Sequence, residues 1–362
     1  MNTILSPQPA PAPPGHSEPC VDMLGRPLTD LRMSVIDQCN FRCTYCMPAG
    51  LYPSDYPFLP SSERLSFAQI ETMARAFVRL GVDKIRITGG EPLLRKNLEQ
   101  LIERLAMLTT PDGRAVRIAL TTNGSLLAAK ARSLKEAGLE RVTVSLDSLD
   151  NGIFQRMNGV DFPVEKVLHG IAVAQAVGLH PVKVNMVVQK GVNDSQIVPL
   201  ARHFRHTGVI LRLIEFMDVG GIGAWSRTHV VTSEAARALI DAEFPLVALG
   251  EGKPILHETA SRYRYRDGGG EVGFISSVSQ PFCGDCSRVR VSSDGQMFLC
   301  LFARDGIDLR PYLDTAQELE SVLRRHWRGR GDRYSEVRGA LAQAGGRPGK
   351  QYSTVRMSLV GG

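Results

Sequence analysis

The chain has 362 residues, 43% hydrophobic and 22% charged, with a formal charge of +6. It reads as a globular protein long enough for one large domain and a smaller one. No apolar run reaches the roughly 18 residues of a membrane span, and the modest positive charge suits an anionic small partner better than a nucleic acid.

Residues 1–29 form a proline-rich leader, predicted to be disordered, without the apolar segment of a signal peptide or anchor; cytoplasm is the expected compartment. Cys20 in this leader reads as a free thiol. From Leu31 onward, β-rich runs alternate with helical patterns. The predicted strands are Leu31–Asp37, Asp83–Thr88, Val116–Thr122, Arg141–Asp147, Val182–Gln189 and Val209–Phe216. Between them SFAQIETMARAFVRLG, KNLEQLIERLAML and SLLAAKARSLKEAG repeat apolar residues at three- and four-residue steps, the pattern of amphipathic helices. The stretch from Tyr52 to Ser62 has no readable period.

Six strands with helices between them predict parallel βα units over residues 30–224. Periodicity leaves a barrel and an open doubly wound sheet equally possible. In both, ligands gather at the carboxyl ends of the strands. Cys39–Cys46, Gly89–Glu91, Asn123 and Ser145–Asp147 fall there. After the glycine-rich break GGIGAW, residues 225–345 read as a smaller α+β region. It contains a helix over Ser233–Glu243, a hairpin of RYRYRD and EVGFISSV, a second cysteine set, and two helical stretches that include the basic run RRHWRGRGDR. A tail over 346–362 ends in Gly361 and Gly362.

Six of the seven cysteines form two triplets. Cys39, Cys43 and Cys46 have the spacing C-x3-C-x2-C; three thiolates on one tight loop can hold three irons of a four-iron cluster and leave the fourth open. Zinc would need another ligand, and no His or Cys stands near. At Cys283, Cys286 and Cys300 spacing divides the two readings evenly, since C-x2-C knuckles hold zinc and His257 is a candidate fourth ligand. Arg288 and Arg290, at i and i+2 of a predicted strand, share a face beside Cys286 and suit phosphate oxygens. No phosphate-cradling G-x-x-x-x-G-K-[ST] loop occurs.

CNFRCTYC followed by TGGEPLL resembles the signature of the radical S-adenosylmethionine (SAM) superfamily. Together with LRMSVIDQCNFRCTYCMP, KIRITGGEPLLR, TTNG, SLDSL, IEFMDVG, the C-x2-C-x-R-x-R run and the terminal diglycine, the chain from about Leu31 resembles the GTP 3′,8-cyclase family of molybdenum cofactor biosynthesis. That resemblance implies an incomplete (βα)6 TIM-type barrel with a smaller α+β region. It implies two [4Fe-4S] clusters, the first on Cys39, Cys43 and Cys46 and the second on Cys283, Cys286 and Cys300. The implied SAM contacts are Tyr45, Gly90, Ser145 and Met217. Those of GTP are Arg32, Arg86, Thr121, Lys183, Arg288 and Arg290, with Gly361 and Gly362 threaded into the active site. It further implies a lyase that abstracts hydrogen from ribose C3′ and closes that carbon onto guanine C8. A reductant such as flavodoxin or ferredoxin, a downstream cyclic pyranopterin monophosphate synthase and a homodimer are the implied partners. The alternatives are a radical SAM peptide-modifying enzyme, which generally carries more carboxy-terminal cysteines, and a zinc-stabilised nucleic-acid-binding protein.

Overall fold

A computed structural model describes residues 19–219, 225–254, 258–337 and 357–360. All six predicted strands are present: β1 (Asp30–Ser34), β2 (Lys84–Thr88), β3 (Arg117–Thr122), β4 (Arg141–Ser145), β5 (Lys183–Val188) and β6 (Ile210–Glu215). Helices α1 (Phe67–Arg79), α2 (Leu98–Ala106), α3 (Leu127–Glu136), α4 (Asn151–Asn158), α5 (Val164–Ala176) and α6 (Ile197–Phe204) lie between them. The strands alternate in an unusual sense. Leu31 and Met33 of β1 and Ile85 and Ile87 of β2 join one core with Ile70, Met73 and Phe77 of α1. Arg32 and Arg86, one position out of step, therefore face the other way. Helix α1 begins at Ser66, whose side chain accepts from Gln69 N while the Gln69 side chain answers the Ser66 N–H, a reciprocal cap worth about 1 kcal/mol.

The second region continues the same sheet. It contributes α7 (Ser233–Glu243), β7 (Leu246–Pro254), β8 (Ser261–Tyr265), β9 (Glu271–Ile275), β10 (Arg288–Val291), β11 (Gln296–Phe298), β12 (Ile307–Asp308) and α8 (Ala316–Arg328). The sheet order is β12-β11-β10-β1-β2-β3-β4-β5-β6-β9-β8-β7. Strands β10 through β9 run parallel, and an antiparallel flap closes each end. Arg290 of β10 and Ile275 of β9, from opposite ends of the parallel array, line one cavity, so the sheet curls into an incomplete barrel. The predicted hairpin is β8–β9, paired from Ser261↔Phe274 to Arg264↔Glu271.

Residues 19–29 overturn the expectation of a wholly disordered leader. Cys20 is 2% exposed and Leu28 is 1% exposed, both within the main core, and Trp327 Nε1 donates to the Arg26 carbonyl at 3.1 Å. Two buried apolar side chains and a buried indole tie this segment to α8 where a composition-based reading sees only prolines. His257, Gly361 and Gly362 lie outside the described residues. No helix among those described is long and apolar enough to cross a membrane.

Candidate active site

A cavity of about 300 Å³ opens along the inner face and carboxyl ends of the parallel strands. It brings together all six clustered cysteines. Tyr45, Gly90, Ser145 and Met217 also line it, as do Arg32, Arg86, Thr121, Arg288 and Arg290. Lys183 is not in its wall. It shares a strand face with Asn185 and Val187, which are, but stands one layer deeper at the start of β5.

The first triplet occupies the loop after β1, pinned from both sides. Arg42 N and Thr44 N donate to the Asn158 and Met157 carbonyls at 2.8 and 3.0 Å, and Arg42 Nη1 donates to the Cys39 carbonyl at 2.8 Å. The glycines after β2 serve this loop directly. Gly90 N donates to the Ile36 carbonyl at 2.7 Å, and a Cβ on Gly90 would stand 2.3 Å from the Gln38 carbonyl oxygen. Glu91, fully buried, accepts from Thr122 Oγ1, Asn123 N and Leu93 N at 2.7, 2.7 and 3.0 Å, joining the loops after β2 and β3. Asn123 Nδ2 in turn points at Cys39 Sγ from 3.8 Å. Tyr45 is fixed by its hydroxyl donating to Asp147 Oδ2 at 2.8 Å, and the other oxygen of Asp147 accepts from Val187 N at 2.8 Å.

Burial dominates the electrostatics of this end. It pushes the Cys39 thiol up to about 11, aided by Glu91, and the Cys46 thiol up to about 12, aided by Cys39; Cys43 is raised as well. Burial also raises Glu91 to about 7 and Asp147 to about 6. Thiols of this kind keep their protons in water and release them when a metal takes the sulfur.

The second triplet sits opposite, with Cys283 and Cys286 on one short turn and Cys300 after β11. Burial would raise Cys286, but the Arg288 and Arg330 guanidiniums and their hydrogen bonds outweigh it and hold the thiol near about 6. Cys300, beside Asp332, is pushed up to about 12, chiefly by burial, with Arg330 only partly offsetting it. Three thiols facing one cavity with a cationic neighbourhood fit a sulfur-rich, anionic cluster. Among the described residues no three His, Cys, Asp or Glu side chains close around a single metal ion, so the fit rests on donor chemistry.

Between the triplets lies a floor of guanidiniums. Arg290, Arg32 and Arg86 are direct neighbours across β10, β1 and β2. Arg86 Nη1 donates to Thr121 and Thr143 hydroxyls at 3.1 and 3.2 Å, while Arg32 Nε is buried with no hydrogen-bond partner. Burial, then the neighbouring Arg290, holds Arg32 well below its ordinary range; burial and Arg288 bring Arg290 to about 10. Lys183 falls to about 7 through burial and Arg212. A buried cationic floor of this kind is stabilised by an anion. At its edge Arg290 Nη1 donates to the Val360 carbonyl at 3.4 Å, so the described end of the tail reaches the cavity.

Sequence reasoning missed several residues here. Arg212 lines the wall and donates to Asn185 Oδ1 at 2.9 Å; its alternation in ILRLIE repeats that of Arg86 in KIRIT, which was the available signal. Glu215 is 1% exposed and gathers Ser233 N, Val278 N and Ser279 N at 2.7, 2.8 and 2.7 Å, anchoring the approach to the second triplet. Arg26 and Arg330 also line the cavity. Nothing local marks either one: the first lies in the leader, the second in the basic run RRHWRGRGDR.

The fold and the first cysteine loop define a radical SAM protein. The family described as Radical SAM superfamily matches residues 33–204, and Molybdenum Cofactor Synthesis C matches residues 209–336. The structure of Streptococcus suis SuiB bound to S-adenosylmethionine superposes with a TM-score of 0.57 at 14% identity, covering 83% of this chain and 68% of that one, a likeness of fold. GTP 3′,8-cyclase of Xanthomonas axonopodis pv. citri is 51% identical over 95% of this chain and 99% of its own length. That of Acidothermus cellulolyticus is 46% identical over 96% and 100%. The chain belongs to the GTP 3′,8-cyclase family.

Proposed function

We propose that this chain converts GTP to 3′,8-cyclo-7,8-dihydroguanosine triphosphate, a carbon–carbon ring closure of the lyase class and the entry step to molybdenum cofactor. The observation that carries the reading is the buried arginine row lying between two thiol triplets in one cavity. Cys39, Cys43 and Cys46 hold a four-iron cluster that, when bound, supplies the electron for reductive SAM cleavage and hence hydrogen abstraction from ribose C3′. Tyr45, held by Asp147, would pack near the adenine edge, and Gly90, Ser145 and Met217 would contact the rest of SAM. Arg32, Arg86, Arg288 and Arg290 clamp the triphosphate through charge-assisted hydrogen bonds, while Thr121 orients Arg86 and Lys183 adds positive charge from below.

Cys283, Cys286 and Cys300 would hold a second four-iron cluster, which when bound would supply an iron for the guanine to coordinate. Gly361 and Gly362 follow Val360, whose carbonyl accepts from Arg290, and their proposed role is to supply a side-chain-free segment to the reaction. A flavodoxin or ferredoxin in the cytoplasm, a downstream cyclic pyranopterin monophosphate synthase and a homodimer complete the reading.

The test is anaerobic incubation of the iron-loaded chain with reductant, SAM and GTP deuterated at C3′. Deuterium is expected in 5′-deoxyadenosine, together with a nucleotide product of unchanged elemental composition apart from isotope exchange. SAM cleavage that leaves all deuterium on intact GTP refutes the proposal.

A further inference from the structure

We propose that Arg26 and Arg330 form a buried clamp that fixes the Cys283–Cys286 turn and sets the reduction potential of the iron–sulfur cluster held there. This rests on the two-cluster reading above. Both arginines are nearly inaccessible, at 2% and 4% exposure. Arg26 Nη1 donates to the Cys283 carbonyl at 2.7 Å and to the Asp332 carbonyl at 2.9 Å. Arg330 Nη1 donates to the Cys286 carbonyl at 2.7 Å. The two cysteines of the turn are thus each held through the backbone oxygen, and Arg330 also reaches the Cys286 thiol.

The arginines share two counterions, Asp22 and Asp332, the latter itself in the cavity wall. Asp22 Oδ2 meets Arg26 Nε at 2.5 Å and Arg330 Nη1 at 3.6 Å, and its other oxygen accepts from Leu24 N and Arg26 N, both at 2.9 Å. Asp332 Oδ1 accepts from Arg330 Nε at 3.1 Å. The Trp327 ring lies 4.7 Å from the Arg330 guanidinium carbon. Arg26 and Asp332, 306 residues apart in the chain, meet at this turn. Buried charges persist only when paired and fully hydrogen-bonded, and one donor here breaks that rule. Arg26 Nη2 is buried, lacks a hydrogen-bond partner, and belongs to a residue of the cavity wall. A sulfur atom of the bound group completes it.

Adding an electron makes a cluster more negative, so fixed positive charge and N–H donors beside it favour the reduced state. Arg26 and Arg330 are positioning residues in this sense. The test uses the full chain carrying Cys39→Ala, Cys43→Ala and Cys46→Ala, so that any cluster signal belongs to the second site. It is loaded with iron and sulfide anaerobically and titrated against potential by electron paramagnetic resonance. Arg26→Gln and Arg330→Gln are each expected to lower the ratio of reduced to oxidised cluster at fixed potential about tenfold, a fall of ~59 mV for a one-electron couple. Arg330→Lys keeps the charge and is expected to recover most of that fall. Asp22→Asn is expected to move the potential upward, which keeps the idea testable if a glutamine variant loads no iron. Potentials that stay unchanged in the loaded fraction of these variants overturn the proposal, even where iron content falls. A background protein that takes up no iron defeats the two-cluster reading itself, and the clamp with it.

Discussion

At the first cysteine triplet the side chains that act most on the thiols, besides the cysteines themselves, are carboxyls, Glu91 at Cys39 and Asp147 at Cys43, whereas Cys286 of the second meets the Arg288 and Arg330 guanidiniums, with Asp332 beside Cys300. The same three-thiol arrangement therefore sits at a negative end and a positive end of one cavity. The negative end suits a sulfonium cofactor carrying an ammonium group; the positive end suits a nucleotide triphosphate. The two ends also differ in how they are held. The first loop is braced by neighbours between residues 36 and 159, within successive βα units. The turn of the second is braced by Arg26 and Arg330 from opposite ends of the chain. One site is local and the other exists only when the whole sheet has closed.

The strongest way to break this comparison is to remove one thiol at each end. Cys43→Ser is expected to abolish SAM cleavage. Cys286→Ser should leave SAM cleavage measurable while abolishing the cyclised nucleotide; both are read by chromatography of 5′-deoxyadenosine and product. If both variants lose SAM cleavage equally, the two ends do not divide the work. Next in size, Arg288→Ala should weaken GTP binding about tenfold to a hundredfold through loss of a charge-assisted contact, with SAM affinity unchanged by equilibrium dialysis.

Gly90→Ala tests the local bracing. Its methyl would meet the Gln38 carbonyl at 2.3 Å, and backbone cannot yield as a side-chain tip can. A loss of roughly 1–3 kcal/mol in denaturant unfolding, with lower iron content at the first site, is expected. Iron content equal to that of the unmodified chain would show that the loops are less tightly coupled than their hydrogen bonds indicate.

The finest test concerns pH. Burial raises Glu91 to about 7 from an ordinary 4.5. Between those values the folded chain keeps a proton the unfolded chain has lost, so this group's contribution to stability falls as pH rises, by at most ~1.4 kcal/mol per unit, and is flat above about 7. In metal-free protein Glu91→Gln removes that slope, so the stability difference between the two proteins should vary across this window and level off above it. A difference independent of pH would mean that Glu91 is ionised throughout.

Much of this was legible in the chain itself. The six βα strands, helix α7 and the β8–β9 hairpin follow from apolar period and glycine punctuation, because each is specified within a few residues. The first triplet and the Gly-Gly-Glu turn were legible for the same reason, since residues that meet on one short loop must be close in sequence. Arg288 and Arg290 were legible because i and i+2 of a strand share a face. Lys183 shows where that logic stops: parity gives the face of a strand but not the depth, and it lies below the cavity wall.

The amino-acid order by itself determined the strands, their alternation of aliphatic and arginine faces, and the two sets of three thiols, since all of these are written in short-range spacing. Only the tertiary structure decided that Cys20 is core rather than free leader, and that β10 lies beside β1 and so puts three arginines in a row. It alone also decided that Arg26 and Arg330 are buried at one turn instead of exposed on a tail and a basic helix end. The physical reason is common to all three: each depends on which distant segments exclude water together, and no local pattern carries that information.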